Sequence, residues 1–294
     1  MRWNCVSVIG AGLLGGSIAL AVKQRQLALA VRAFVRRDSS ALLCRNLDIA
    51  SLVTTDLKQA VQDADLVFLC TPLAQMAALA VQLQPLLKPG AIVTDVGSVK
   101  GPVVAELTPL LRQARAEFVG SHPMAGSEKN GVSAARADLF ENAVCLLTPT
   151  PLSSPEAVAT VESFWMAVGG CPLCLSPETH DDLVSRSSHL PHVVAAELAN
   201  YVLSPAHPKE QALVCASGFR DATRIASGSP EMWRDIALAN RHNLGRVLGV
   251  FIEDLREFQL ALERQDVQAI EEFFTKAKQR RDNWHGRPAD ASSE

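Results

Sequence analysis

Seven short apolar runs, at residues 5–9, 31–35, 66–70, 91–95, 118–120, 144–148 and 171–175, punctuate the first 175 positions. Several are continuously apolar rather than alternating, the pattern of strands covered on both faces. Between them lie amphipathic stretches at 57–64, 75–87, 103–115 and 156–168. Strand–helix alternation of this kind predicts an α/β domain, a doubly wound, mostly parallel sheet with helices on both sides.

The pattern changes after Leu175. Ser176-Pro177-Glu178-Thr179 reads as a helix start. A long helical pattern runs from about residue 180 to 203, until Ser204-Pro205 breaks it. A shorter helix is expected over 209–217, ended by Gly218, and Ser229-Pro230-Glu231 opens another. Leu244, Val247, Leu248, Phe251, Leu255, Phe258 and Leu262 then fall at three- and four-residue intervals, an amphipathic stripe. A last helix is expected from 267 to about 282. The expected organisation is therefore a sheet domain over 1–175, an all-helical domain over 176–284 and a polar tail over 285–294.

From Trp3 to Val22 no residue is charged, and Arg2 precedes the run, as in a leader peptide. Asn4, Ser7 and Ser17, with glycines at 10, 12, 15 and 16, argue instead for a strand, a tight turn and a helix. The expected location is cytoplasmic, with no membrane partner. Of the 294 residues 48% are hydrophobic and 20% charged, enough apolar material for a packed core. The net charge of −3 gives no basic footprint for nucleic acid. Aromatics are 5% with a single tyrosine, Tyr201, too few for a base-stacking surface. Seven cysteines at irregular spacing read as reduced side chains. Cys171-Pro172-Leu173-Cys174 has no second ligand pair to make a zinc site, so no metal is expected.

Gly10-Ala11-Gly12-Leu13-Leu14-Gly15 is a G-x-G-x-x-G between an apolar strand and an apolar helix, the context of a dinucleotide loop. Gly10 suits the tight turn, Gly12 close approach of a pyrophosphate, and Gly15 close packing of helix on sheet. Leu13 and Leu14 complete the expected cofactor contact. At the end of the second strand an acid would select NAD; here Val35 holds that place, followed by Arg36 and Arg37. A guanidinium pair matches the 2′-phosphate of NADP, with NAD as the alternative if the arginines are a solvated pair or Asp38 occupies them.

Four further segments, in order, are Asp95-Val96-Gly97-Ser98-Val99-Lys100, residues 120–131 beginning Gly-Ser-His-Pro-Met-Ala-Gly, Ser188-His189-Leu190-Pro191-His192, and residues 218–226 reading Gly-Phe-Arg-Asp-Ala-Thr-Arg-Ile-Ala. With the glycine loop they resemble the prephenate/arogenate dehydrogenase family of tyrosine biosynthesis, over roughly the whole chain. The resemblance implies oxidative decarboxylation of a cyclohexadiene, with hydride transfer to NAD(P). His122, just past the run at 118–120, is the expected proton acceptor. Ser98 is expected either to hydrogen-bond the substrate hydroxyl or the nicotinamide, or to cap a helix. Arg224 is expected to hold a substrate carboxylate unless Asp221 pairs with it. His192 is expected at the substrate side chain, His189 as an orienting residue, Glu128 and Trp233 at the pocket mouth, and Thr71 and Pro72 beside the cofactor. Asp65 reads as a strand cap.

The alternatives are an arogenate dehydrogenase, a 3-hydroxyacid dehydrogenase, and a non-catalytic NADP-binding sensor. The 3-hydroxyacid enzymes resemble one another in a Lys-x-x-x-Asn that the helix after 176 lacks. His192 and Arg224, read as donors, favour prephenate. The family also implies a homodimer through the helical domain, unless the stripe at 244–262 packs within its own domain. No catalytic segment is expected before Trp3. The roughly 12 residues after the last helix fall short of the about 40 a small domain needs, so tyrosine inhibition would act at the active site.

Overall fold

The computed structural model describes residues 2–126 and 131–284. The uncharged run near the start folds as strand β1 (Trp3–Ile9), a glycine turn and helix α1 (Leu13–Gln24). The chain then alternates through β2 (Ala28–Phe34), α2 (Asp38–Asn46), β3 (Leu52–Thr54), α3 (Leu57–Val61), β4 (Leu66–Leu69), α4 (Leu73–Leu83), β5 (Ile92–Asp95), α5 (Gly101–Gln113) and β6 (Glu117–Phe118). These six strands make one parallel sheet in the order β3-β2-β1-β4-β5-β6. The chain direction across the sheet reverses between β1 and β4, which places a crevice at their carboxyl ends.

Both faces of the sheet are covered, which explains the continuous apolar runs. Val6, Val8, Leu66 and Phe68 face one buried cluster with Phe164 and Trp165. Their neighbours Cys5, Ile9, Val67 and Leu69 face the other. Phe68 packs on Phe164 with ring centroids 4.4 Å apart and meets Trp165 edge-on at 5.9 Å. Asp65, expected to cap the strand it precedes, instead accepts from two amides of β1, the main-chain N–H of Asn4 at 2.6 Å and of Cys5 at 3.2 Å.

The structure differs from the sequence reading in the last strands. Residues 117–123 split into β6 and a separate strand, β7 (Gly120–Pro123). This leaves the main sheet and pairs antiparallel with β8 (Val144–Thr148). After α6 (Pro155–Ala167), β9 (Cys171–Cys174) joins β8 in parallel, giving a second sheet of three strands. His122 therefore lies within a strand, not in a loop beyond one. Cys171 and Cys174, three apart on β9, point to opposite faces. Burial pushes the Cys145 thiol up to about 12, with Cys171 adding to the effect.

The helical part begins with α7 (Pro177–Val184), capped by Ser176 through the N–H of Thr179. A π-helical turn (Ser185–His189) leads into α8 (Leu190–Val202). Next come α9 (Glu210–Leu213) and α10 (Ser217–Thr223). Gly218 thus lies inside α10 instead of ending the helix expected over 209–217; the stop falls earlier, and extended Ala216 starts the new helix. Then follow α11 (Pro230–Ala239), α12 (Arg241–Glu263) and α13 (Val267–Asp282). No described helix is long and apolar enough to cross a membrane.

Candidate active site

The glycine loop lies in the crevice between β1 and β4. Gly10 has φ +102°, and a Cβ there would stand 2.7 Å from the Cys70 carbonyl oxygen and 3.2 Å from Thr71 Cγ2. Only glycine serves at that conformation and approach. A Cβ on Gly15 would meet the Gly10 oxygen at 2.0 Å, so α1 lies directly on the turn. Gly12 instead faces open space, with nothing within 4 Å of a Cβ built there. It forms the start of α1 without a side-chain cap. The first amides of α1 thus point at that space with no side chain to receive them. The buried Thr71 hydroxyl, across the crevice, has no partner among the described residues. Open amides at a helix start, together with an orphaned hydroxyl, fit a dinucleotide pyrophosphate. Pro72 follows at the start of α4.

Val35 is buried at the end of β2, and Arg36 and Arg37 lead into α2. Asp38 takes a 3.5 Å bond from the Thr55 hydroxyl, so its carboxylate is turned toward another element. Among the described residues neither Arg36 nor Arg37 makes an ion pair.

A buried network at the end of β5 fixes the strand that bears His122. The Ser121 hydroxyl donates to the Asp95 carbonyl at 2.6 Å, and the Ser121 N–H donates to Asp95 Oδ1 at 3.1 Å. Lys100 forms an ion pair with Asp95, both side chains fully buried, and donates to the Ser121 carbonyl at 2.8 Å. The N–H of Gly97 completes the carboxylate's partners at 2.8 Å. This places His122 at the carboxyl edge of the main sheet.

His122 Nδ1 is 2.9 Å from His180 Nε2, and His180 Nδ1 is 2.8 Å from Asp181 Oδ1. Asp181 also accepts the main-chain N–H groups of Lys100 at 2.7 Å and Gly101 at 2.8 Å. The cap of α5 therefore comes from α7, in the helical part, and not from Ser98. The Ser98 hydroxyl makes no hydrogen bond among the described residues. Burial drives the proton affinity of His122 well below that of an ordinary histidine, helped by the nearby charges of His180, Lys100 and His189. The imidazole is neutral at neutral pH.

His189 is fully buried. Its Nδ1 lies 3.1 Å from the Asn240 amide nitrogen, which also donates to the Asp181 carbonyl at 2.8 Å. Burial lowers its pKa to about 4. Its Nε2 faces the main chain of Ser98 without closing a hydrogen bond of standard geometry. His192 stacks on Trp233 with centroids 3.7 Å apart at 28°. Its Nδ1 donates to the Ser188 carbonyl at 2.9 Å, which leaves Nε2 as an acceptor in the neutral ring. Burial again lowers its proton affinity, and nearby Arg224 adds to that. Arg224 follows α10 and lines a cavity of about 450 Å³ with Cys215, Phe219 and Ser227. Glu128 lies outside the described residues.

The structure thus groups His122 with His189, and His192 with Trp233 and Arg224. It adds Asp95, Lys100, His180, Asp181 and Asn240, to which the sequence reading gave no role. A signal existed for four of them: Asp95 and Lys100 end the segment read for its resemblance, and adjacent His180 and Asp181 stand on the buried stripe of the helix that Pro177 opens.

Residues 18–172 match the family model described as prephenate dehydrogenase, nucleotide-binding domain, and residues 176–276 match prephenate dehydrogenase, dimerization domain. The chain is 36% identical over 278 residues to a cyclohexadienyl dehydrogenase of Zymomonas mobilis, covering 94% of each protein. It is 37% identical over 291 residues to a prephenate dehydrogenase of Bacillus subtilis, covering 95% of this chain and 76% of that one. Among solved structures, prephenate dehydrogenase from A. aeolicus in complex with hydroxyphenyl propionate and NAD+ superposes with a TM-score of 0.88 at 32% identity. That match covers 96% of this chain and 97% of the other. With both domains matched in order and two relatives above one-third identity, the chain belongs to the prephenate dehydrogenase family of nicotinamide-dependent dehydrogenases.

Proposed function

We propose that the chain oxidises prephenate with NADP, using His122 to accept the proton of the ring hydroxyl. The observation that carries this reading is the buried, neutral imidazole of His122 at the carboxyl edge of the sheet that ends in the glycine loop. A neutral imidazole is the form that accepts a proton. When bound, the nicotinamide supplies the hydride acceptor, while the substrate's ring carboxylate leaves as carbon dioxide. The open amides of Leu13, Leu14 and Gly15 and the bare face of Gly12 would hold the pyrophosphate, with Gly10 making the turn, its own N–H bonded to the Phe34 carbonyl, and Thr71 and Pro72 closing the crevice. Arg36 and Arg37 meet the 2′-phosphate. The Ser98 hydroxyl, unengaged among the described residues, orients the reacting hydroxyl or the carboxamide. Arg224 binds a carboxylate, and the Trp233 stack fixes the ring of His192 at the side chain.

One observation favours arogenate as a second substrate. Neutral His192 presents an acceptor, which suits an ammonium group better than a keto group. Side-by-side kcat/KM values for prephenate and arogenate, each with NADP and NAD, decide the matter. Prephenate with NADP is expected to lead; an arogenate value tenfold higher reverses the assignment.

The protein acts as a homodimer in the cytoplasm in this reading. Support for the dimer comes from the α12–α13 hairpin, where only Leu244 and Val247 of the stripe are buried. Val250, Val267 and Phe274 stand 60%, 74% and 59% exposed. An apolar face of that extent calls for a partner.

A further inference from the structure

We infer that His180 and Asp181 are positioning residues that fix the tautomer of His122 and receive its charge during turnover. This rests on His122 being the proton acceptor proposed above.

The hydrogen accounting along the chain has one solution. The Asp181 carboxylate only accepts, and it already receives the N–H groups of Lys100 and Gly101. His180 Nδ1, 2.8 Å away, must therefore carry a hydrogen. Neutral His180 is then bare at Nε2. That atom is 2.9 Å from His122 Nδ1, which must carry the next hydrogen. Neutral His122 is left with its lone pair on Nε2, the nitrogen turned away from His180. Every other neutral assignment sets two bare nitrogens face to face, two N–H groups face to face, or the bare Nδ1 of His180 against the Asp181 carboxylate, in a buried site.

The charges around the two rings differ. His122 faces His180, His189 and Lys100, all of which oppose a positive charge on it. His180 faces Lys100 as well, but also Asp181 and Asp95. Asp181 sits at the positive end of α5, a helix of 13 residues that favours an anion there. A proton's charge is thus better tolerated one ring back from the substrate. In the step itself the substrate O–H bond breaks as an N–H bond forms at His122 Nε2. The Nδ1 proton of His122 passes to His180 Nε2, leaving His180 cationic beside Asp181. When His122 releases its Nε2 proton to water, the shared proton returns to Nδ1.

The test combines tautomer spectroscopy with kinetics. ¹⁵N-histidine spectra of the wild type, with the His122 signals identified by their loss in His122→Asn, should show hydrogen on Nδ1 of His122. A ring carrying its hydrogen on Nε2 overturns the inference without requiring any His180 variant to fold. His180→Phe should lower kcat about 10–100-fold with KM values for substrate and NADP within about threefold. His180→Gln, whose carboxamide oxygen can accept from Nδ1, should recover about tenfold over Phe. In the His122→Asn background His180→Phe should have no further effect. If His122→Asn is inactive while folded His180→Phe turns over within twofold of wild type, this inference fails and the base assignment stands. If His122→Asn itself keeps wild-type turnover, the base assignment fails, and this inference with it.

Discussion

Lys100→Met tests the buried pair that anchors the strand of His122. Lys100 and Asp95 are both without solvent exposure, so removing the ammonium leaves a carboxylate with two main-chain donors, Gly97 and Ser121, and no counter-charge. Breaking a buried pair in this way costs about 3–5 kcal/mol. The lost bond to the Ser121 carbonyl adds about 1 kcal/mol. The expected destabilisation at pH 7 is therefore about 4–6 kcal/mol, a large part of the 5–15 kcal/mol typical of a folded domain. Urea unfolding at pH 7 measures this, with Asp95→Asn/Lys100→Met expected to recover about 2 kcal/mol. A deficit below about 1 kcal/mol refutes the account.

Arg36→Ala should raise KM for NADP about 10–100-fold, from loss of charge-assisted bonds of about 1.5–3 kcal/mol, and that for NAD less than threefold; equal effects would leave the arginine no phosphate to read. Arg224→Lys should raise KM for prephenate about tenfold or more while the melting temperature holds, because an ammonium cannot reproduce the guanidinium fork; unchanged KM removes it from substrate binding. Val250→Arg/Phe274→Arg should convert a dimer to a monomer at micromolar concentration in sedimentation, and a wild type already monomeric refutes the interface.

How far the sequence disclosed this molecule depended on the range of the interaction. Strands β1, β4 and β5 were legible because both their faces are buried, and continuous apolar runs record that directly. The glycine loop was legible because its chemistry is local. β3 was missed: three residues, Leu52–Thr54, are too few to show a period. The departure of β7 from the main sheet was also invisible, since it depends on Ser121 reaching Asp95, 26 residues earlier. Gly218 misled because glycine ends helices more often than it sits within them, and here extended Ala216 set the new start. His122 stood out by resemblance, but its partners did not. His180 is 58 positions from it, and Asp181 is 81 from the amide of Lys100. Contacts at such separations leave no periodic trace.

The cap of α5 bears on how the two halves can be exchanged. A helix of the sheet domain receives its terminal acceptor from Asp181 of the helical one. Chimeras that pair this nucleotide-binding half with a foreign helical half inherit a mismatch at one point unless the donor supplies a carboxylate at that position. Grafts between enzymes of different substrate preference should therefore keep residues 176–189 with the first half and make the join after the π-helical turn. Divergence of the two halves is similarly constrained: the residues that meet at this junction have to change in concert or not at all.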